Sequence, residues 1–75
     1  MFNAIKKLTA IKRLDNSING NPNYKLYFGN EVVRTPMDSM LAYKISDTYL
    51  NKECQIIYYY NDQEQAYLKD INKLD

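Results

Sequence analysis

Alternation of apolar and polar positions is clearest over 23–28 and 53–60. In the first stretch Tyr24, Leu26 and Phe28 fall on one side and Lys25 and Tyr27 on the other; in the second, Cys54, Ile56, Tyr58 and Tyr60 alternate with Gln55, Ile57 and Tyr59. A period of two carried by aromatic and β-branched side chains marks half-buried strands. Gly29-Asn30 predicts a two-residue hairpin loop, because both residue types tolerate positive φ, and 31–34 returns as the partner strand. Upstream, Gly20, Pro22 and the asparagines at 16, 19, 21 and 23 predict a polar loop over 15–23. The opening fits either a helical face of Phe2, Ile5 and Leu8 or a strand with Thr9, Ile11 and Arg13 on one side. A frayed turn over 2–6 followed by a strand over 7–14 is the better reading. The last strand, 65–71, carries Ala66, Leu68 and Ile71.

Between the third and fourth of these strands, Thr35-Pro36-Met37-Asp38 combines three helix-start signals. Thr35 suits the N-cap, Pro36 the first helical position, where its missing N–H costs nothing, and Asp38 the positive end of the helix dipole. Two turns ending near 43–45 are expected, with Met37, Met40 and Leu41 on one side. The resulting order predicts a mostly β (α+β) fold over a single domain, 1–75: a small five-stranded OB-like or SH3-like barrel with one short helix between strands 3 and 4.

At 75 residues the core is small, about 60–65% of the unfolded surface being buried. Ten basic against nine acidic side chains give +1 overall, too little for a whole-molecule field to hold the chain on nucleic acid or an anionic membrane. The halves differ: residues 1–34 hold six Lys/Arg against two acids, +4, and residues 35–75 hold four against seven, −3. One cysteine and no histidine rule out an intrachain disulfide, ordinary zinc sites and His-based nucleophilic triads. Asp62 and Glu64 lack a third predicted carboxylate, so no metal is expected, and Cys54 reads as an apolar filler of the inward face. No phosphate-cradling glycine motif occurs. The chain therefore reads as non-enzymatic and without a cofactor. With no run of membrane-span length and no signal-like opening, the expected setting is the cytoplasm. Nine Asn, eight Lys, seven Ile and eight Tyr are the residues of A/T-rich codons, which suits a low-GC bacterium or its phage.

Tyr27 and Tyr59 lie opposite the main aliphatic set of their strands, and tyrosine offers large contact area at low entropy cost. Lys25 and Arg34 sit on neighbouring predicted strands, and Lys12 and Arg13 on a third. The predicted partner surface is accordingly Lys25, Tyr27 and Arg34 on the outer side of strands two and three, with Arg13 and Tyr59 beside it.

At Asn16-Ser17, Gly20-Asn21-Pro22-x-Tyr24, Arg34-Thr35, Asp38-Ser39 and Tyr43-x-Ile45, the chain resembles small accessory proteins of phages and prophages of low-GC Gram-positive bacteria, which share an NSxxGNPxY turn and a TxxDS helix start. The resemblance spans about residues 8–60. Where those proteins have Arg, Asn23 stands here, and Gly29-Asn30 replaces an Asp-Gly-type hairpin. The resemblance implies a phage accessory protein acting in the bacterial host cell, a class that includes inhibitors of host defence. The expected function is binding to a host protein, for instance an anti-CRISPR-like block of a nucleic-acid enzyme. The alternatives are a small single-stranded nucleic-acid-binding barrel and a structural virion or assembly component. The near-neutral charge favours the protein partner, since phosphate neutralisation dominates nucleic-acid affinity. If the chain forms a homodimer, the Tyr58-Tyr59-Tyr60 strand is the expected pairing edge.

Overall fold

The structure, a computed structural model, describes residues 1–74. It is mostly β: a single six-stranded mixed sheet built from β1 (Phe2–Lys7), β2 (Ala10–Leu14), β3 (Asn23–Phe28), β4 (Glu31–Arg34), β5 (Glu53–Tyr60) and β6 (Ala66–Lys73). The spatial order is β1-β5-β6-β4-β3-β2. All pairs are antiparallel except β4 with β6. Among the described residues no helix is long and apolar enough to cross a membrane.

The expected five strands are six because the opening divides in two. Residues 2–6, expected as a frayed turn, pair with β5 from Phe2↔Tyr58 to Lys7↔Glu53. After two intervening residues the chain pairs instead with β3, from Ala10↔Tyr27 to Leu14↔Asn23. The change of partner happens at Leu8 and Thr9. The Leu8 N–H donates to Lys52 C=O at 3.1 Å and its C=O accepts from Asn51 N–H at 2.7 Å, while Thr9 N–H and its hydroxyl both donate to Tyr27 C=O, at 2.8 and 3.0 Å. The corner thus breaks the ladder while three of its four backbone groups stay bonded. β1 and β2 share no ladder, so the sheet is not closed into a barrel. They are nevertheless its two end strands, joined by two residues, which requires the sheet to curl. The salt bridge from Lys6 on β1 to Glu31 on β4, 2.5 Å, spans the mouth of that curl.

The concave side holds one apolar cluster: Leu8, Leu26, Phe28, Val33, Ile45, Cys54, Ile56, Leu68 and Ile71. Leu68 and Ile71 are three residues apart yet both fully buried. A bulge reconciles them with a period of two: Tyr58 faces Leu68 and Ile57 faces Asp70, leaving Lys69 as the extra residue. The Gly29-Asn30 hairpin forms as the pattern predicts, closed by the pair Phe28↔Glu31. Only Gly29 uses positive φ, at +65°, the pattern of a II′ turn. Strand β5 has neighbours on both sides, β6 along its length and β1 from Glu53 to Tyr58, so of the Tyr58-Tyr59-Tyr60 strand only Tyr59 and Tyr60 run past β1. The edges are β1 and β2.

The expected helix starting at Pro36 does not form. Its place is taken by a turn and two short 3₁₀ helices, Met40–Tyr43 and Asp47–Tyr49. Ser39 rather than Thr35 caps the first, its hydroxyl accepting from Leu41 N–H at 3.1 Å. Each of the three start signals is used elsewhere. The Thr35 hydroxyl accepts from Tyr24 N–H at 3.0 Å and its own N–H donates to Tyr24 C=O at 3.0 Å, extending the β3 pairing. Pro36 C=O accepts from Ser39 N–H at 3.3 Å, and inside that turn Asp38 takes φ +59°, which no right-handed helix allows.

Leu8→Ala and Leu26→Ala are each expected to cost about 2–5 kcal/mol, a large part of the roughly 4–11 kcal/mol typical for a chain of this length. Urea unfolding followed by circular dichroism measures both. A Leu8→Ala loss below about 1 kcal/mol would show that the corner lies outside the cooperative core.

Candidate functional site

The register of the curled sheet decides which side chains share its convex face. Lys12 stands directly opposite Lys25, and Lys25 directly opposite Arg34. Arg34 is paired with Tyr67 across the parallel ladder, and Tyr67 with Tyr59. Directly paired residues project to the same side. Lys12, Lys25, Arg34, Tyr67 and Tyr59 therefore form one row across five strands, some four inter-strand spacings or about 19 Å long. Tyr27, between Ala10 and Val32, stands in the adjoining row. The Tyr59 and Tyr67 rings stack, with centroids 6.0 Å apart and planes 21° apart.

Like charges directly opposite one another are unfavourable in a sheet, and this row places two such pairs side by side. Among the described residues no ion pair neutralises them: the pairs are Lys6–Glu31 and Lys44–Asp70, and neither involves the row. Lys44 instead binds β6, 3.3 Å from Asp70 and 3.1 Å from Asn72. The Asp70 carboxyl is held below its ordinary range: burial pushes it up, but Ile71 N–H and the Lys44 ammonium outweigh that.

Four of the five predicted site residues, Lys25, Tyr27, Arg34 and Tyr59, share the convex face. Arg13 does not. It lies on the side of Ile11, opposite Tyr24, where its guanidinium sits 5.5 Å over the Tyr24 ring and donates to Asn16 Oδ1 at 2.6 Å. That is an anchor for the start of the 15–23 loop, made by cation–π and hydrogen-bond contact. The cation of the row on β2 is its neighbour Lys12, as the period of two requires once Ile11 faces the core. Tyr67 was also missed; its signal is the alternation Ala66, Tyr67, Leu68.

A second constellation sits on the loops. The Asp38 carboxylate accepts from the Ser17 hydroxyl at 2.5 Å, from Asn21 Nδ2 at 2.8 Å and from Asn19 Nδ2 at 2.9 Å, and the Tyr43 hydroxyl donates to Asn21 Oδ1 at 2.6 Å. Three donors on an ionised carboxylate favour its charged form, and they hold Asp38 below the ordinary carboxylate value, the Ser17 bond being the largest contribution. Gly20, at φ +84°, lets the loop tighten so that Ser17, Asn19 and Asn21 converge. The network fixes the 15–23 loop against the 36–43 segment and leaves Ile18 98%, Met37 64% and Tyr43 58% exposed around it. Cys54 faces the core beneath β5; burial pushes its thiol pKa up, which suits packing and not nucleophilic chemistry.

Compared with protein-family models, curated proteins and solved structures, the chain matches none of them.

The Asp38 network has a pH signature. Its carboxyl is lowered in the folded state relative to the ordinary 3.8, so the stability it contributes is complete above that value and is lost as pH falls through the lower folded one. Asp38→Asn is expected to lower the melting temperature at neutral pH and to remove part of the loss seen below about pH 4. Thermal unfolding of both proteins across that range is the measurement. An unchanged acid limb in the variant would mean that other carboxyls govern it.

Proposed function

We propose that this protein is a non-enzymatic binding module of a phage or mobile genetic element, and that its convex face takes a single-stranded nucleic acid. The row Lys12–Lys25–Arg34 beside the stacked Tyr59–Tyr67 pair carries the reading. Three unneutralised cations at successive strand spacings form a track for a phosphate backbone, and adjacent tyrosine faces suit base stacking, the combination by which single strands are held without sequence preference. Net charge argued for a protein partner, but net charge is a sum over the whole surface, whereas the row is local.

Connectivity supports the same reading. Taking β1 and β2 as one strand bent at Leu8–Thr9, the order becomes first-second-third-fifth-fourth and back to the first, with third and fifth parallel. That is the order of an OB-type barrel, here left open at the bend, and OB folds bind oligonucleotides on the face of their second and third strands. Those strands are β3 and β4, which bear Lys25, Tyr27 and Arg34. Fold alone would be weak support; its agreement with the charge row is what adds weight.

A second reading, an anti-CRISPR-like protein that binds and blocks a host nucleic-acid enzyme, draws on a different surface. Ile18, Met37 and Tyr43 are apolar side chains held out from a hydrogen-bonded loop pair, and rigid exposed apolar anchors suit protein interfaces.

The first reading predicts a salt-dependent complex with a labelled single-stranded oligonucleotide. The slope of log K against log salt is expected near −2, about 0.7 per phosphate neutralised. Lys25→Ala and Arg34→Ala should each flatten it by about 0.7, while Tyr27→Ala weakens binding with the slope kept. Fluorescence anisotropy over a salt series reads all three. Absence of binding at low salt, together with capture of a host protein that Ile18→Asp abolishes, would replace this reading by the second.

A further inference from the structure

A cavity opens beside the charge row at Arg34. β4 and β6 are paired only at Val33↔Ala66 and Arg34↔Tyr67. Past that point they part, β4 running into the Gly29-Asn30 hairpin and β6 into the loop closed by Asn61 N–H on Gln65 C=O at 2.9 Å. The opening measures about 440 Å³, within the range of small-molecule sites. Lys25 and Arg34 line it together with Glu64, Gln65, Tyr58 and Tyr60, the two tyrosines projecting from the opposite face of the sheet with their partners Leu68 and Ala66. The two rings meet edge to face, centroids 5.8 Å apart. Arg34 Nε is buried with no hydrogen-bond partner, and an unpaired buried donor is costly. Glu31 and Glu64 line the same cavity, yet among the described residues no carboxylate forms an ion pair with Arg34.

The lining thus offers both cations with spare donors and aromatic surface. A ligand that joins an anionic group to a flat ring matches both. Resting on the nucleic-acid reading above, we propose that this cavity is the subsite for one nucleotide of the bound strand. Its phosphate oxygens accept from Lys25 and the Arg34 guanidinium, and its base lies against Tyr60 and Tyr58. Glu64 in the lining accepts from an exocyclic amino group, the contact by which a carboxylate reads such a base. Glu64 disfavours a second anion inside, Glu31 being paired with Lys6. The same carboxylate disfavours an acidic peptide, which brings more negative charge and no ring.

Amide shifts in two-dimensional NMR test the subsite on the unaltered chain. Adenosine monophosphate should move the signals of residues 31–34 and 64–66 at concentrations where inorganic phosphate or adenosine alone moves them little. Tyr60→Leu, which keeps an apolar contact for Phe2 but removes the ring, should weaken oligonucleotide binding about tenfold while leaving the salt slope unchanged. An oligonucleotide that binds with the expected slope, with no nucleotide shifts in the cavity and no effect of Tyr60→Leu, would overturn the subsite and spare the row. Cavity shifts from the mononucleotide without oligonucleotide binding would uphold the subsite and sink the row. Shifts produced by a polyglutamate peptide in place of the nucleotide would overturn the subsite in favour of a protein ligand.

Discussion

The exchange of partners at Leu8–Thr9 is the constraint on which the rest of the fold depends. One residue takes both its backbone bonds from 51–52 and the next takes its own to Tyr27, so a two-residue segment ties one end of the sheet to the other. Leu8, with none of its surface exposed, fills the inside of the bend. Curling gives a chain of this size a concave side able to enclose nine buried side chains, with Leu41 and Tyr49 of the two 3₁₀ helices packed against them. Curling also makes the opposite side convex, so that long polar side chains on neighbouring strands splay outward into solvent and remain available.

Where the pattern of the sequence and the structure agree, the signal was a local one reinforced by burial. The 53–60 alternation, the Gly29-Asn30 turn and the inward Cys54 needed no knowledge of distant residues. The three-residue step from Leu68 to Ile71 takes its meaning from the pairing alone, which puts the bulge at Lys69. The opening was not legible, because a strand that changes partners mid-course has no single inner face for periodicity to reveal. Phe2 and Ile5 are 52% and 61% exposed, so apolar spacing there reported no burial at all.

The failed helix is more instructive, since its signals were real. Thr35, Pro36 and Asp38 are suited to a helix start, but hydrogen-bonding capacity is not specific to one use. Thr35 serves β3, and Asp38 serves three donors from a loop some twenty residues earlier in the chain. Three charge-assisted bonds outweigh what a marginal two-turn helix could return, and they hold Asp38 at positive φ against its preference. Similar competition explains Arg13. Its position was assigned from charge, while the register assigns it to the face of Ile11 and its chemistry finds Tyr24 and Asn16.

For the candidate site the decisive information is register, which cannot be read from any one strand. Lys12, Lys25 and Arg34 are each unremarkable as solvated residues; they become a row only because two pairings place each opposite the next. A one-residue slip of β3 against either neighbour would send Lys25 to the core side, and Leu26, held at zero exposure between Ile11 and Val33, prevents it. The apolar core therefore enforces an arrangement of charges that is electrostatically unfavourable by itself. A polyanion would relieve that repulsion on binding and so gain affinity from strain the fold already carries. The same reasoning extends to Arg34, the one member of the row with a buried unpaired donor: it stands where the sheet opens, at the junction between the charge row and the aromatic lining of the cavity.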